Sequence, residues 1–340
     1  MKKILVTGGL GYIGSHTTVE LQKEGYEVVI ADNLSNSRLE VLDGIEAITG
    51  QRPNFEKLDI SLRGDVHQLL EKHPEIQGVI HFAAFKAVGE SVEKPLSYYR
   101  NNLDSLIYLL EEMIARELDH FIFSSSCTVY GEADEMPITE QAPIKPAESP
   151  YGNTKQIGEE ILKDASKNGK IQVIALRYFN PVGAHPSSEI GELPLGVPQN
   201  LVPFVTQTVA GVRPELKVFG NDYPTRDGTA IRDYIHVVDL ARAHVAALNR
   251  LINERNESPM EIFNLGTGKG STVLEVIQAF EKVTGKSVPY SFAPRRDGDV
   301  TEAWADTSLA SSVLGWHSEL TLEDAMRDAW NWERKVREIE

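Results

Sequence analysis

An α/β fold built on a doubly wound parallel sheet, with a smaller and discontinuous α/β domain beside it, is predicted for this chain of 340 residues. Three observations predict it. Short apolar runs alternate with helix-length amphipathic segments through the first half, the rhythm of parallel strands joined by crossover helices. The first run leads straight into a cluster of glycines, and the second ends in an aspartate. After Asn180-Pro181-Val182-Gly183 the rhythm breaks into a Pro- and Gly-rich stretch, residues 183–232, which suits a ligand-covering region more than a sheet core.

The strand-like runs are Lys3–Thr7, Glu27–Ala31, Gly78–Phe82, His120–Ser124 and Gln172–Tyr178, with a weaker one near Asn54–Leu58. Helical patterns begin near Tyr12, Gly64, Pro95 and Pro150. Core-like patterns return at Arg232–Ala246 and Glu261–Gly266, so the second domain is read as discontinuous. The division expected is a Rossmann-type domain over residues 1–180 and a substrate domain over 181–340, with parts of 232–266 returning to the first.

The first strand runs into Gly8-Gly9-Leu10-Gly11-Tyr12-Ile13-Gly14-Ser15. Such a turn lets backbone amides approach a pyrophosphate and seats it at a helix N-terminus. A strand precedes the turn, a helix follows it, and Asp32 closes the next strand at the spacing of a dinucleotide fingerprint. A carboxylate there accepts hydrogen bonds from a ribose diol and repels a 2′-phosphate, which selects NAD over NADP. Asn33 and the loop Leu34-Ser35-Asn36-Ser37 offer no arginine for such a phosphate.

Ser149 suits an N-cap and Pro150 the first helical position, so a helix starts here and places Tyr151 and Lys155 one turn apart on one face. A free tyrosine titrates near pH ~10. A fixed cation and the helix N-terminus favour the phenolate, and the pair reads as a general acid/base for a hydroxyl proton.

Composition narrows the partners. The content of 41% hydrophobic and 25% charged residues is that of a soluble globular protein. A formal net charge of −16 argues against nucleic acid and anionic membranes, so an anionic ligand must be held by local cations. The single cysteine, Cys127, allows no internal disulfide, and with no histidine partner in view it reads as a buried small side chain. The nine histidines lack metal-ligand spacing, so no metal is expected. The apolar run after Met1-Lys2-Lys3 stops too early for a signal peptide, and no stretch reaches the roughly 18 apolar residues of a membrane span, so a cytoplasmic protein is expected.

Longer motifs then identify a family. Thr7-Gly8-Gly9-Leu10-Gly11-Tyr12-Ile13-Gly14-Ser15-His16, His81-Phe82-Ala83-Ala84-Phe85-Lys86-Ala87-Val88-Gly89-Glu90-Ser91 and Ser124-Ser125-Ser126-Cys127-Thr128-Val129-Tyr130-Gly131 are three of them. Others are Arg177-Tyr178-Phe179-Asn180-Pro181-Val182-Gly183-Ala184, Phe219-Gly220-Asn221-Asp222-Tyr223-Pro224-Thr225, Arg232-Asp233-Tyr234-Ile235-His236 and Ala293-Pro294-Arg295-Arg296-Asp297-Gly298-Asp299. Over nearly its whole length the chain resembles the extended short-chain dehydrogenase/reductase superfamily and, within it, the UDP-glucose 4-epimerase family.

That resemblance implies residue roles. Gly8, Gly11, Tyr12, Ile13, Gly14, Asp32, Asn33, Asn36 and Ser37 would hold the adenosine and pyrophosphate side of NAD, with Asp59 and Ile60 flanking the adenine. Phe82, Ala83, Lys86 and Asn101 would line the inner half of the cofactor. Lys155 would bond the nicotinamide ribose, beside Tyr178 and Phe179. Asn180, Asn200, Leu201, Phe219, Arg232, Tyr234, Arg296 and Asp299 match uridine- and diphosphate-binding positions, and paired guanidinium groups suit a pyrophosphate. Tyr151 and Lys155 would be catalytic, with Ser126 hydrogen-bonding the sugar oxygen that reacts. The implied activity is interconversion of UDP-galactose and UDP-glucose through a transient 4-keto sugar, in a homodimer joined through helices near 95–118 and 150–168.

Related sugar-nucleotide 4,6-dehydratases carry an Asp-Glu pair at the positions of Cys127 and Thr128, so elimination lacks its acid in this chain. Ala303 stands where strict galactose/glucose members place a tyrosine. A small residue there is expected to admit the N-acetylated pair, UDP-GalNAc and UDP-GlcNAc. Two other readings remain open at this point: an NAD-dependent sugar-nucleotide dehydrogenase or reductase with net redox, and a dinucleotide-sensing regulator. The regulator would need the glycine turn but not Tyr151 and Lys155.

Overall fold

Strand β1, Lys3–Thr7, is buried on both faces and passes through the glycine turn into α1, Tyr12–Lys23. The computed structural model describes residues 2–296 and 299–339. The pattern repeats as β2 Glu27–Asp32, α2 Val41–Thr49, β3 Asn54–Lys57, α3 Arg63–Lys72 and β4 Ile76–His81. Helices α4, Val88–Glu93, and α5, Pro95–Tyr99, lead through a π-helical turn at Arg100–Asp104 into α6, Ser105–Ala115. Strand β5, His120–Ser126, ends in a 3-10 turn at Cys127–Tyr130; then come α7, Pro150–Ser166, and β6, Gln172–Tyr178.

The second half adds β7 Asn180–Val182, α8 Leu201–Val209, β8 Leu216–Phe219, β9 Ile231–Arg232, β10 Tyr234–His236 and α9 Val237–Ile252. It continues with β11 Met260–Leu265, β12 Ser271–Thr272, α10 Val273–Thr284, β13 Tyr290–Ala293, β14 Glu302–Ala303 and α11 Leu322–Val336.

Seven strands form one parallel sheet in the order β3-β2-β1-β4-β5-β6-β11. The strand order reverses between β1 and β4, and such a switch point opens a ligand crevice at the carboxyl ends of the strands. Alternate strand residues face opposite layers. Ile4, Val6, Val28, Ile30, Ile80, Ile122 and Ile174 pack under α1, α2 and α9. Leu5, Val29, Val79, Phe121, Phe123 and Val173 pack under α3, α6 and α7. Burial on both faces is why these strands read as continuous apolar runs rather than alternating ones.

The predicted strands fall where expected, with ends moved by one or two residues. The stretch 183–232 is more ordered than its composition implies, since it contains α8 and β8. With α10 and α11 these build a third apolar cluster around Val205, Val218, Phe280 and Met326. Strand β11 pairs with β6 along its whole length, while β9 joins β12 and β14 in a separate small sheet. Among the described residues no helix is long and apolar enough to cross a membrane.

Candidate active site

The candidate site lies along the carboxyl ends of β1, β2, β4, β5 and β6. At β1, Gly8 adopts φ +65°, and a Cβ there would stand 2.8 Å from the Ala83 nitrogen. A Cβ on Gly14 would stand 2.3 Å from the Gly8 carbonyl oxygen. The glycines therefore keep the turn, the start of α1 and the loop after β4 within backbone contact. Helix α1 begins with no side-chain cap and no acid in its first turn, so its N-terminal amides are free to meet a phosphate. Tyr12 spans the two halves by donating its hydroxyl to the Gly183 carbonyl at 2.7 Å. Ile13 packs against the core beneath.

Asp32 is buried at the end of β2. Its Oδ1 accepts the Leu34 amide at 2.9 Å and the Ser37 hydroxyl at 2.7 Å, and its Oδ2 accepts the Leu10 amide at 3.2 Å. One carboxylate thus shapes both the glycine turn and the loop after β2, and it retains lone pairs for a diol. Asn33 donates to Asp59 at 3.3 Å, which ties the ends of β2 and β3 together. Ile60 is buried beside them, and Asn36 stays exposed. The uncapped helix, the cradle that a Cβ would fill and the diol-accepting carboxylate fit a dinucleotide such as NAD.

At β4, Phe82 packs on the buried His244 ring at a centroid distance of 4.7 Å. Asn101 donates to Asn102 at 2.9 Å. Asn102, which sequence reasoning missed, is the fastener here: it accepts the Phe85 amide at 2.8 Å and donates to the Phe85 carbonyl and to Thr154 on α7, both at 3.0 Å.

Helix α7 carries the pair expected to transfer the proton, Tyr151 and Lys155. Ser149 caps it by accepting the Gly152 amide at 3.1 Å, with Pro150 in the first turn as expected. Tyr151 and Lys155 are both buried, and the Ser126 hydroxyl at the end of β5 lies on the side of the Tyr151 phenol. The electrostatics differ from the sequence expectation. Burial pushes the phenol well above its ordinary range, Tyr178 adds to this, and the Ser126 hydroxyl pulls the other way. Lys155 does not offset that burial, because its ammonium turns to the Ser124 carbonyl at 2.6 Å and lies 4.9 Å from the centre of the Phe123 ring. Burial pulls Lys155 itself down to about 8, against the opposing charge of Glu159. Tyr178 shares a 2.6 Å hydrogen bond with Ser124, and burial raises it to about 12.

The other wall comes from the second half. Arg232 forms an ion pair with Asp299 and donates to the Val300 carbonyl at 2.8 Å. Arg296 stacks over Phe219 at 3.9 Å from the ring centre. Gly298 lies outside the described residues. Asn180 on β7 pairs in register with Tyr234 on β10. Ala303 pairs with Arg232 across β14 and β9 and packs against the cluster of Phe179, Val129, Tyr130 and Ile138. Cys127 touches the same cluster, and burial raises its thiol to about 11 while Arg232 pulls it down.

Two further residues escaped the sequence reading. Asp233, fully buried, accepts four hydrogen bonds and joins β9 to the loop after β11 and to β14. Glu192 bridges the loop after β4 and the start of α8: it accepts the Asn200 side-chain amide at 2.6 Å and faces Lys86 at 3.6 Å. Leu201 follows Asn200 in the first turn of α8. Asp233 lies within the motif at 232–236 but received no role there, and Glu192 lies in no quoted motif; each is defined by partners far away in the chain.

Comparisons with known proteins agree with this geometry. Residues 5–329 match the family described as GDP-mannose 4,6 dehydratase. The UDP-glucose 4-epimerase of Bacillus subtilis is 51% identical over 331 residues, which cover 97% of this chain and 96% of that protein. The structure of UDP-glucose-4-epimerase from Stenotrophomonas maltophila, with bound NAD and formylated UDP-arabinopyranose, superposes with a TM-score of 0.96 at 48% identity and full coverage of both chains. That from Bifidobacterium longum, in complex with NAD+ and UDP, gives 0.94 at 44% identity and covers 99% of this chain and 100% of its own. The chain belongs to the UDP-glucose 4-epimerase family of the extended short-chain dehydrogenases/reductases.

Proposed function

We propose that this protein is an NAD-dependent isomerase that interconverts UDP-galactose and UDP-glucose through a transient 4-keto sugar. The observation that carries the reading is the grouping of Tyr151, Lys155 and Ser126 at the strand ends beside the glycine turn. NAD, when bound, supplies the hydride chemistry at C4. Gly8, Gly11, Gly14 and the first turn of α1 would take its pyrophosphate, Asp32 the adenosine ribose and Lys155 the nicotinamide ribose.

Tyr151 takes the proton of the C4 hydroxyl and returns it, and Ser126 holds the same oxygen in line. Because burial holds the phenol up, the proton is released only once cationic charge adjoins it, and the buried ammonium of Lys155 is the group of this chain best placed to supply part of that charge. Arg232, Arg296, Asn180, Asn200, Phe219, Tyr234 and Asp299 would anchor the uridine diphosphate. A firm anchor on the diphosphate and few charges around the sugar leave the ketose free to present its other face. Dehydration is disfavoured, since neither Cys127 nor Thr128 can protonate a leaving hydroxyl. We place the cofactor in residues 1–180 with the returning parts of 232–266, and the nucleotide sugar in the rest of 181–340.

The test is incubation with UDP-galactose and chromatography of the products, beside denaturation of the purified protein to release its nucleotide. UDP-glucose and released NAD are expected. Net, substrate-dependent reduction of added NAD+ would favour a dehydrogenase instead.

Ala303 supports a wider range that includes the UDP-GalNAc/UDP-GlcNAc pair. A methyl group on β14, packed against the cluster of Phe179, takes up less room than a phenol would. Ala303→Tyr is expected to lower turnover of the acetylated pair by roughly tenfold or more while sparing UDP-galactose. No conversion of UDP-GalNAc by the unmodified protein would sink the proposal.

A homodimer is proposed as well. Val88, Val92, Leu96 and Ile107 leave an apolar face exposed along α4, α5 and α6, with Leu96 81% accessible. A second copy would cover it. Light scattering is expected to give twice the chain mass, and Leu96→Asp to shift it toward the monomer.

A further inference from the structure

The elements that carry the candidate site meet at a buried ion pair just outside it. Glu159 stands one turn beyond Lys155 on α7, and Arg177 immediately precedes Tyr178 on β6; their side chains are 9% and 5% exposed. Oε1 of Glu159 accepts Arg177 Nε at 2.9 Å and the Ser125 hydroxyl at 2.5 Å, and Oε2 accepts Arg177 Nη2. Ser125 is the neighbour of Ser126. Arg177 also donates to the Tyr130 hydroxyl at 3.0 Å and stacks over that ring. Tyr130 in turn donates to Asn264 on β11 at 2.6 Å, and Asn264 donates to the Ile138 carbonyl at 2.9 Å. One hydrogen-bonded chain thus ties α7, β6, β5, the 3-10 turn and β11 together.

We propose that Glu159 is a positioning residue for the proton-transfer pair, whose carboxylate, fixed by Arg177 and Ser125, keeps Lys155 an ammonium and sets Ser126 and Tyr178 against α7. The inference rests on the epimerase reading of Tyr151 and Lys155. Stability alone does not explain the arrangement, because buried ion pairs exchanged for well-packed apolar side chains are often neutral or better.

Lys155 needs a counter-charge. It is buried, its ammonium donates to a neutral carbonyl, and it leans on an aromatic ring. The titratable groups around it are Tyr151 and Glu159, one turn to either side on its own helix, His81 from β4, and Tyr178 from β6, which bonds Ser124 as Lys155 does; Arg177 stands behind Glu159. His81 is held neutral, pulled down to about 3 by burial and by Lys155 itself. Tyr151 and Tyr178 are held as phenols by burial, and Arg177 is a cation. Glu159 is therefore the one anion of this set, and it opposes the pull of burial on Lys155.

Glu159→Gln keeps the shape and removes the charge. With the ammonium less favoured, Lys155 loses its proton at lower pH, so the alkaline limb of the kcat–pH profile is expected to move down by about one pH unit. At pH 8 kcat falls roughly fivefold, while KM for UDP-galactose stays within about threefold. Glu159→Asp, which keeps the charge, is expected to return the limb most of the way. If Glu159→Gln does not fold, the Glu159→Gln/Arg177→Leu pair, which leaves neither charge buried, takes its place, with a smaller shift in the same direction expected because a cation behind Glu159 leaves as well. A lowered kcat with the limb at its unmodified position would show a purely structural role and overturn the proposal, as would an unchanged kcat. Inactivity of the unmodified protein on UDP-galactose would instead overturn the epimerase reading.

Discussion

Replacing Tyr151 by phenylalanine is expected to lower kcat on UDP-galactose by about a thousandfold while NAD remains bound. The change removes one oxygen from a ring that is 8% exposed and leaves the ring's packing in place. Nothing else in reach can take the proton. Ser126 is a neutral hydroxyl that stays protonated, Lys155 is spent on the Ser124 carbonyl, and His81 is engaged with Thr7 at 2.8 Å. A positioned acid/base contributes typically 10²- to 10⁴-fold, and the upper part of that range applies where no second group substitutes. Because the phenol is poorly solvated and costly to ionise where it lies, its loss should leave the fold intact, with a melting temperature within about 2 °C of the unmodified protein. The measurement is kcat with each sugar nucleotide beside nucleotide release on denaturation. A residual kcat within tenfold would mean that another group moves the proton.

That expectation could be framed from sequence because helix geometry is local. Ser149 and Pro150 start α7, and a separation of one turn puts Tyr151 and Lys155 on one side whatever the rest of the fold does. The glycine turn and Asp32 were legible for the same reason: each acts within one βαβ unit. What the sequence withheld was environment. The cation beside Tyr151 suggested a lowered phenol, but the depth of burial and the turn of Lys155 toward Ser124 are properties of the assembled sheet.

The second half was legible mainly through its motifs. Strands of two or three residues such as β9, β12 and β14 carry too little periodicity to be seen. Helices α10 and α11 did offer a local signal: Thr272 with Glu275, and Thr321 with Asp324, form capping boxes that a closer reading of the sequence could have used. Glu159 and Glu192 had none, and Asp233 had only its place in the motif at 232–236, which gave it no role. An acidic residue within a helix or beside a strand reads as surface charge until the fold brings its partners to it.

Asp233 is the strongest case, and Asp233→Ala is expected to cost both stability and nucleotide binding. Its Oδ1 accepts the Thr267 amide at 2.8 Å and the Thr267 hydroxyl at 2.7 Å; its Oδ2 accepts the Gly268 and Ala305 amides, each at 3.2 Å. Its backbone carbonyl receives the Asn180 amide at 2.9 Å, and its own amide reaches the Ala303 carbonyl at 3.1 Å. The loop after β11 and the segment that follows β14 therefore both hang on one carboxylate. Alanine would strand four donors in a site with no exposure to solvent, at about 1–3 kcal/mol each. Even partial relaxation leaves a loss on the order of 4 kcal/mol, a large share of the roughly 5–15 kcal/mol that holds a protein folded. A fall in melting temperature of about 6 °C follows for a chain of this size. The same substitution loosens the segment after β14 at Ala305, next to Ala303 and the strand that pairs with Arg232, so UDP affinity should drop by more than a change at the surface could explain. Thermal melts with and without UDP separate the two effects. A melting temperature within about 2 °C of the unmodified protein would mean that water, rather than Asp233, satisfies these donors.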